Sequence, residues 1–218
     1  MAKVTLYLVR HGQTYFNIYN KLQGWSNSPL TGKGIQNALD TGRRLSDIKF
    51  VAAFCSDTTR AEDTAELILA ENHKSLLTKA IKSPYFREQF YGSFEGDNMD
   101  EVWSKVGSKQ NLNSFADIVQ QFSIADAKNM MKAADPFHDA ENQNEYWTRI
   151  QKGFKLIAEQ PELHDGDNVL VISHGNTLLS LMEQYGHGQF NLNERPKNGS
   201  ITKLAFDGQD IEILSYNQ

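Results

Sequence analysis

Val4-Thr5-Leu6-Tyr7-Leu8-Val9-Arg10-His11-Gly12 is an apolar run that ends abruptly in a cation, an imidazole and a glycine. A short, β-branched apolar stretch of this kind reads as a strand buried on both faces, as in a parallel sheet. It is too short for a signal core or a membrane span, so a soluble cytoplasmic chain is expected. Two further runs repeat the pattern. Phe50 to Cys55 is followed by Ser56-Asp57-Thr58-Thr59-Arg60, and Asn168 to Ile172 by Ser173-His174-Gly175-Asn176.

Each run gives way to polar residues and then to helical periodicity. The first helix is expected from Thr31 with Ile35, Ala38, Leu39, Gly42 and Leu45 on one face. Others are expected over Thr59–Ala70, from about Asn142 to Gln160 with Tyr146, Trp147, Ile150, Phe154 and Ile157 inward, and after Asn176-Thr177 as far as Gly186. Strand and helix in alternation predict an α/β three-layer sandwich, a mostly parallel sheet with helices on both faces. Ile201–Phe206, Asp207-Gly208 and Ile211–Leu214 predict a C-terminal antiparallel hairpin at one edge. Residues 97–140, rich in Asn, Gln, Lys and Met with Phe115, Ile118, Val119 and Phe122 in helical spacing, are expected to be a helical insertion within a single domain spanning 1–218.

Composition narrows the function. At 218 residues and a formal net charge of -5, the chain lacks the basic face a nucleic-acid binder requires, so any anion site is a local concentration of cations. The single cysteine, Cys55, lies in an apolar strand, which excludes internal disulfides and thiolate zinc clusters and predicts an inert thiol. In open α/β sheets ligands bind beyond the carboxyl ends of the strands, and there the three runs deliver Arg10-His11, Arg60 and His174. Arg60 in the first turn of a helix opposes the helix dipole, an exception of the kind that marks functional sites. Paired histidines invite a metal, but neighbouring guanidinium groups repel a cation and attract an anion, so no metal or other cofactor is expected. Phosphate suits arginine forks, and a neutral imidazole beside it is a competent nucleophile. From the residues alone either His11 or His174 qualifies.

Leu8-Val9-Arg10-His11-Gly12-Gln13-Thr14 resembles the signature of the histidine phosphatase superfamily, also called the phosphoglycerate mutase-like family. The resemblance continues in order through Asn17, Gln23-Gly24-Trp25, Ser28-Pro29-Leu30-Thr31, Gly34, Ser56 to Ala61, Glu88 with Tyr91-Gly92, and Ser173-His174-Gly175. It implies that His11 becomes phosphorylated and that Arg10, Arg60 and His174 hold the phosphoryl oxygens. It further implies that Asn17 lines the pocket, that Gln23 and Gly175 contribute to phosphate and substrate binding, and that Glu88 gives a proton to the leaving alkoxide and then acts as the base for the attacking water. Glu95-Gly96 is expected to be a structural turn, and Glu141 with Arg149 a surface salt bridge.

A small phosphorylated metabolite is the expected substrate. Mutases of the family carry an arginine directly after the catalytic glutamate and more in the insertion; here Gln89-Phe90 follows Glu88, and no arginine occurs between Arg87 and Arg149. That absence favours a phosphatase acting on small phosphomonoesters, with a phosphoglycerate mutase primed by 2,3-bisphosphoglycerate as the alternative. A non-catalytic phospho-ligand binding module would have lost a catalytic residue, and all five are present.

Overall fold

The three apolar runs lie side by side as parallel strands. The computed structural model describes residues 2–218, in which β1 (Val4–Arg10), β2 (Phe50–Cys55) and β4 (Asn168–Ser173) form the centre of a six-stranded sheet ordered β3-β2-β4-β1-β5-β6. β3 (Ile81–Lys82) extends the parallel part beyond β2. β5 (Ile201–Phe206) pairs antiparallel with β1, and β6 (Ile211–Ser215) closes that edge. The expected hairpin is present, but its loop is Asp207 to Asp210, with the Asp207 carboxylate accepting from the backbone N–H groups of Gln209 and Asp210.

Side-chain alternation divides the core into two layers. Tyr7, Val9, Leu170 and Ile172 face α2 (Gly32–Arg44) and α3 (Thr59–Ala70), while Leu6, Leu8, Val169 and Val171 face α7 (Gln143–Ala158) and α8 (Gly175–Tyr185). Two expected starts are confirmed by their caps: the Thr31 hydroxyl accepts from Gly34 N at 3.0 Å, and Asn142 and Glu145 form a capping box. The inward face of α2 differs from the expected one, because Ile35 is exposed. Ala38, Gly42 and Leu45 are buried as expected, joined by Gly34 and Thr41. A Cβ at Gly42 would lie 2.8 Å from Glu71 Cβ and 3.0 Å from Ile68 O, so close helix contact selects the small-residue stripe over the larger apolar one.

Residues 97–140 are helical as expected, with α4 (Met99–Gly107), α5 (Phe115–Gln121) and α6 (Ile124–Ala134). Trp103, Phe115, Ile118, Ile124 and Met131 make a third apolar cluster that reaches Tyr91 and Leu179 of α8. Phe122 is not part of it: α5 stops at Gln121, and Phe122 turns outward at its C-cap. A short helix, α1 (Tyr15–Ile18), follows the first strand and had no periodic signal. Among the described residues no helix is long and apolar enough to cross a membrane.

Candidate active site

Register carries the chemistry to one edge. Arg10 of β1 pairs with Ser173 of β4, and Cys55 of β2 with Ile172, so the next residues emerge together; His11 N donates to Ser173 O at 3.0 Å. His11 and His174 are 4% and 1% exposed, with ring centroids 5.3 Å apart. His11 Nδ1 lies 2.8 Å from Gly12 O, a carbonyl that only accepts, so Nδ1 carries the hydrogen and Nε2 holds the free lone pair. Burial, then the charges of Arg60 and Arg10, hold the His11 imidazole well below its usual range. Burial and Arg60 do the same to His174. Both rings are therefore neutral, the form a nucleophile needs.

Arg60, on the first turn of α3, is fully buried and donates to Gly24 O at 2.7 Å, Ser26 O at 2.9 Å and His174 Nδ1 at 3.3 Å. Those carbonyls offset the unfavourable helix dipole noted above. The receiving loop is itself held by Glu95, whose carboxylate accepts from the backbone N–H of Gly24, Trp25, Ser26 and Tyr91. Glu95 is thus a scaffold for the loop, in agreement with the structural turn expected there. Arg10 donates to Pro196 O. Burial lowers both guanidinium groups to about 10, leaving them cationic at neutral pH.

Three buried donors in this region have no protein partner: Arg10 Nε, Arg60 Nε and Gln23 Nε2. Unsatisfied buried donors are costly unless a ligand meets them, and two of these, on Arg10 and Gln23, belong to residues that line the cavity. Both ring nitrogens of His174 have protein partners: Arg60 Nη2 at Nδ1, and Ser56 Oγ 3.1 Å from Nε2. Asn17 and Gly175 line the cavity, together with Arg10, His11, Gln23, Glu88 and Tyr91, whereas Arg60 and His174 are not among its lining residues. Asn198, which carried no signal in the sequence, joins the base of the site by donating to His11 O at 2.9 Å and to Asn17 Oδ1 at 3.4 Å.

Glu88 is 4% exposed and fixed at both oxygens: Thr177 Oγ1 at 2.8 Å and Gln89 N at 3.0 Å donate to Oε1, and Asn176 N at 2.7 Å donates to Oε2. The backbone of its loop is held by Trp25 Nε1, which donates to Glu88 O at 3.0 Å, and by Arg149. Here a surface salt bridge gives way to a buried clamp. Arg149 and Glu141 are each 11% exposed and paired through two hydrogen bonds of 2.6 and 2.7 Å, while the guanidinium also donates to Arg87 O and Glu88 O at 2.8 and 3.0 Å. Sequence reading missed this because the carbonyls lie some 60 residues upstream of the arginine. Arg149→Met is expected to destabilise the fold by about 3–5 kcal/mol, because it strands the Glu141 charge. Adding Glu141→Gln should recover part of that loss in denaturant titrations. A single variant as stable as the parent would show that the clamp is dispensable.

The wall facing the insertion is apolar: Leu22, Met99, Trp103, Phe115 and Leu179. Two cations outside the expected set reach the cavity. Lys21 lines it while donating to Gly96 O at 2.6 Å, and exposed Arg195 stands at the mouth, 5.2 Å over the Phe115 ring. Nothing around Arg195 in the sequence marks it for this place.

A sequence model described as the histidine phosphatase superfamily (branch 1) matches residues 6–218. The chain is 32% identical over 206 residues to a 2,3-bisphosphoglycerate-dependent phosphoglycerate mutase 2 of Gloeobacter violaceus, covering 94% of this chain and 85% of that one. It is 33% identical over 180 residues to the 2,3-bisphosphoglycerate-dependent phosphoglycerate mutase of Bartonella henselae, covering 82% and 79%. Among solved structures it is similar to a phosphoglycerate mutase from Bacillus anthracis, with a TM-score of 0.90, 34% identity and coverage of 100% and 94%. YhfR of Bacillus stearothermophilus superposes with a TM-score of 0.68 at 26% identity, covering 97% and 95%.

Proposed function

We propose, from the premise that this chain belongs to the histidine phosphatase superfamily, that it is a phosphoglycerate mutase working through a phosphorylated His11 and primed by 2,3-bisphosphoglycerate. Members of the superfamily are enzymes acting on small phosphorylated metabolites. The curated relatives support the mutase over the phosphatase that the sequence favours, and Arg195 adds support from outside the insertion. The insertion supplies no arginine, yet a guanidinium reaches the mouth of the pocket from the loop before β5, where a substrate carboxylate or second phosphate could pair with it.

The chemistry follows from the geometry. Nε2 of His11 attacks phosphorus, the N–P bond forms as the P–O ester bond breaks, and the Glu88 carboxyl gives its proton to the departing alkoxide. The phosphoryl oxygens take up the open Nε donor of Arg10, and Arg60, 3.3 Å from His174 Nδ1, adds its positive charge, so the transferring group is stabilised without proton transfer, while Gln23 and Asn17 border the substrate. A second hydroxyl then attacks phosphorus, passing its proton to the Glu88 carboxylate and releasing neutral His11. None of these steps calls on a metal, and among the described residues no three His, Cys, Asp or Glu side chains form a ligand group.

Hydrolysis is the second reading, favoured by the apolar insertion wall, which offers a carboxylate no donors. Incubating the protein with 3-phosphoglycerate, with and without 2,3-bisphosphoglycerate, separates the two. The mutase gives primer-stimulated 2-phosphoglycerate with little inorganic phosphate; phosphate release without isomerisation would make the protein a phosphatase. Arg195→Ala should raise KM for 3-phosphoglycerate about 10-fold while changing p-nitrophenyl phosphate kinetics little.

A further inference from the structure

Lys128 of α6 is 1% exposed, and nothing in the phosphoryl-transfer chemistry uses it directly. Its ammonium meets no carboxylate at hydrogen-bond distance; it donates to Ser180 Oγ of α8 at 2.8 Å and lies 4.6 Å from the Tyr146 ring centroid of α7. A buried ammonium with a hydroxyl for a partner is costly, and a methionine of similar volume would fill the place more cheaply. What the charge faces gives it a purpose. Ser180 Oγ donates in turn to Asn176 O at 2.7 Å, and the N–H of the same Asn176 donates to Glu88 Oε2, beside Thr177 Oγ1 on Oε1.

We propose that Lys128 is a positioning residue through which the helical insertion governs the acid–base step: its ammonium places a buried positive charge behind the Asn176–Ser180 turn, and its hydrogen bond holds that turn, which orients the Glu88 carboxylate. This rests on the reading of Glu88 as the proton donor. The acidic groups facing Lys128 are Glu183 of α8, Glu88 and Glu141, with Tyr146 as the other titratable neighbour. Glu183 is occupied, since its two oxygens accept from Ile124 N and Ala125 N at the start of α6. Facing Glu88 in addition are Arg10 of β1, Arg60 of α3, Tyr91 and Tyr146. Burial pushes the Lys128 ammonium down to about 8, so it carries its charge through the range in which a carboxyl titrates.

The sign follows. Removing a cation raises the proton affinity of a nearby carboxylate, so the protonated acid survives to higher pH. In Lys128→Met the alkaline limb of kcat/KM for phosphorylation of the unprimed enzyme by 2,3-bisphosphoglycerate should move up by about one pH unit, a tenfold change in the proton equilibrium. The profile for p-nitrophenyl phosphate, whose leaving group needs no proton, should not follow it. Lys128→Gln keeps a donor for Ser180 without the charge and should move the limb equally; a shift in Met but not in Gln would overturn the role of the charge. Circular dichroism and melting curves establish that each variant is folded, and glutamine serves if methionine does not fold. Glu88→Gln is measured alongside. If it abolishes the limb while both Lys128 variants leave it at the wild-type pH, the Lys128 inference fails alone. If the limb persists without Glu88, the acid assignment fails and takes the inference with it.

Discussion

His11→Ala is expected to abolish turnover of every phosphomonoester, a fall of at least about 10⁴-fold, because removing a covalent nucleophile eliminates the pathway itself. His174→Ala should be milder. Its neutral ring holds Arg60 and Ser56 in place, so its loss disorders one side of the site and costs about 10²–10³-fold, the scale of one preorganised stabilising group. The rings are only 5.3 Å apart and similarly buried, so overall folding and phosphate affinity should change to similar extents in the two variants. Initial rates in saturating substrate measure the difference. Losses of equal size would remove the distinction between nucleophile and support.

Glu88→Gln separates the acid from the scaffold. Glutamine is close in shape, and its carbonyl oxygen keeps the contacts from Thr177 and Gln89, while its amide nitrogen cannot accept from Asn176 N, so one contact is lost together with the transferable proton. Turnover of 3-phosphoglycerate, whose alkoxide is a poor leaving group, should fall about 10²–10⁴-fold. Turnover of p-nitrophenyl phosphate should fall far less in the phosphorylation step, since p-nitrophenolate departs without assistance. Burst kinetics with the aryl ester isolate that step from transfer out of the phosphoenzyme. Equal losses on both substrates would make Glu88 a structural residue.

The sheet was legible because its central strands are buried on both faces, which leaves continuous apolar runs whose ends coincide once the strands align. Ends that coincide also gather Arg10, His11, Arg60 and His174, so this part of the site could be read without coordinates. Glu88 could not be placed on those grounds, because it lies in a loop without periodicity, and only its resemblance to a family motif marked it. Arg195 and Lys128 left no trace, and Arg149 was legible only as the partner of Glu141, for a common reason. Each acts across a long sequence separation on a carbonyl, a pocket mouth or a hydroxyl, and nothing in the neighbouring residues reports that contact. Arg195 had the largest consequence, since counting arginines in the insertion alone had favoured hydrolysis.

The covalent mechanism is tested most directly by rapid quenching of the wild-type protein with a ³²P-labelled phosphodonor, followed by proteolysis and peptide mapping under alkaline conditions. Near-stoichiometric, acid-labile and base-stable label on the peptide containing His11 is the expected result. Label on the peptide containing His174 would reverse the two histidines, and absence of label from both during turnover would contradict a phosphohistidine intermediate.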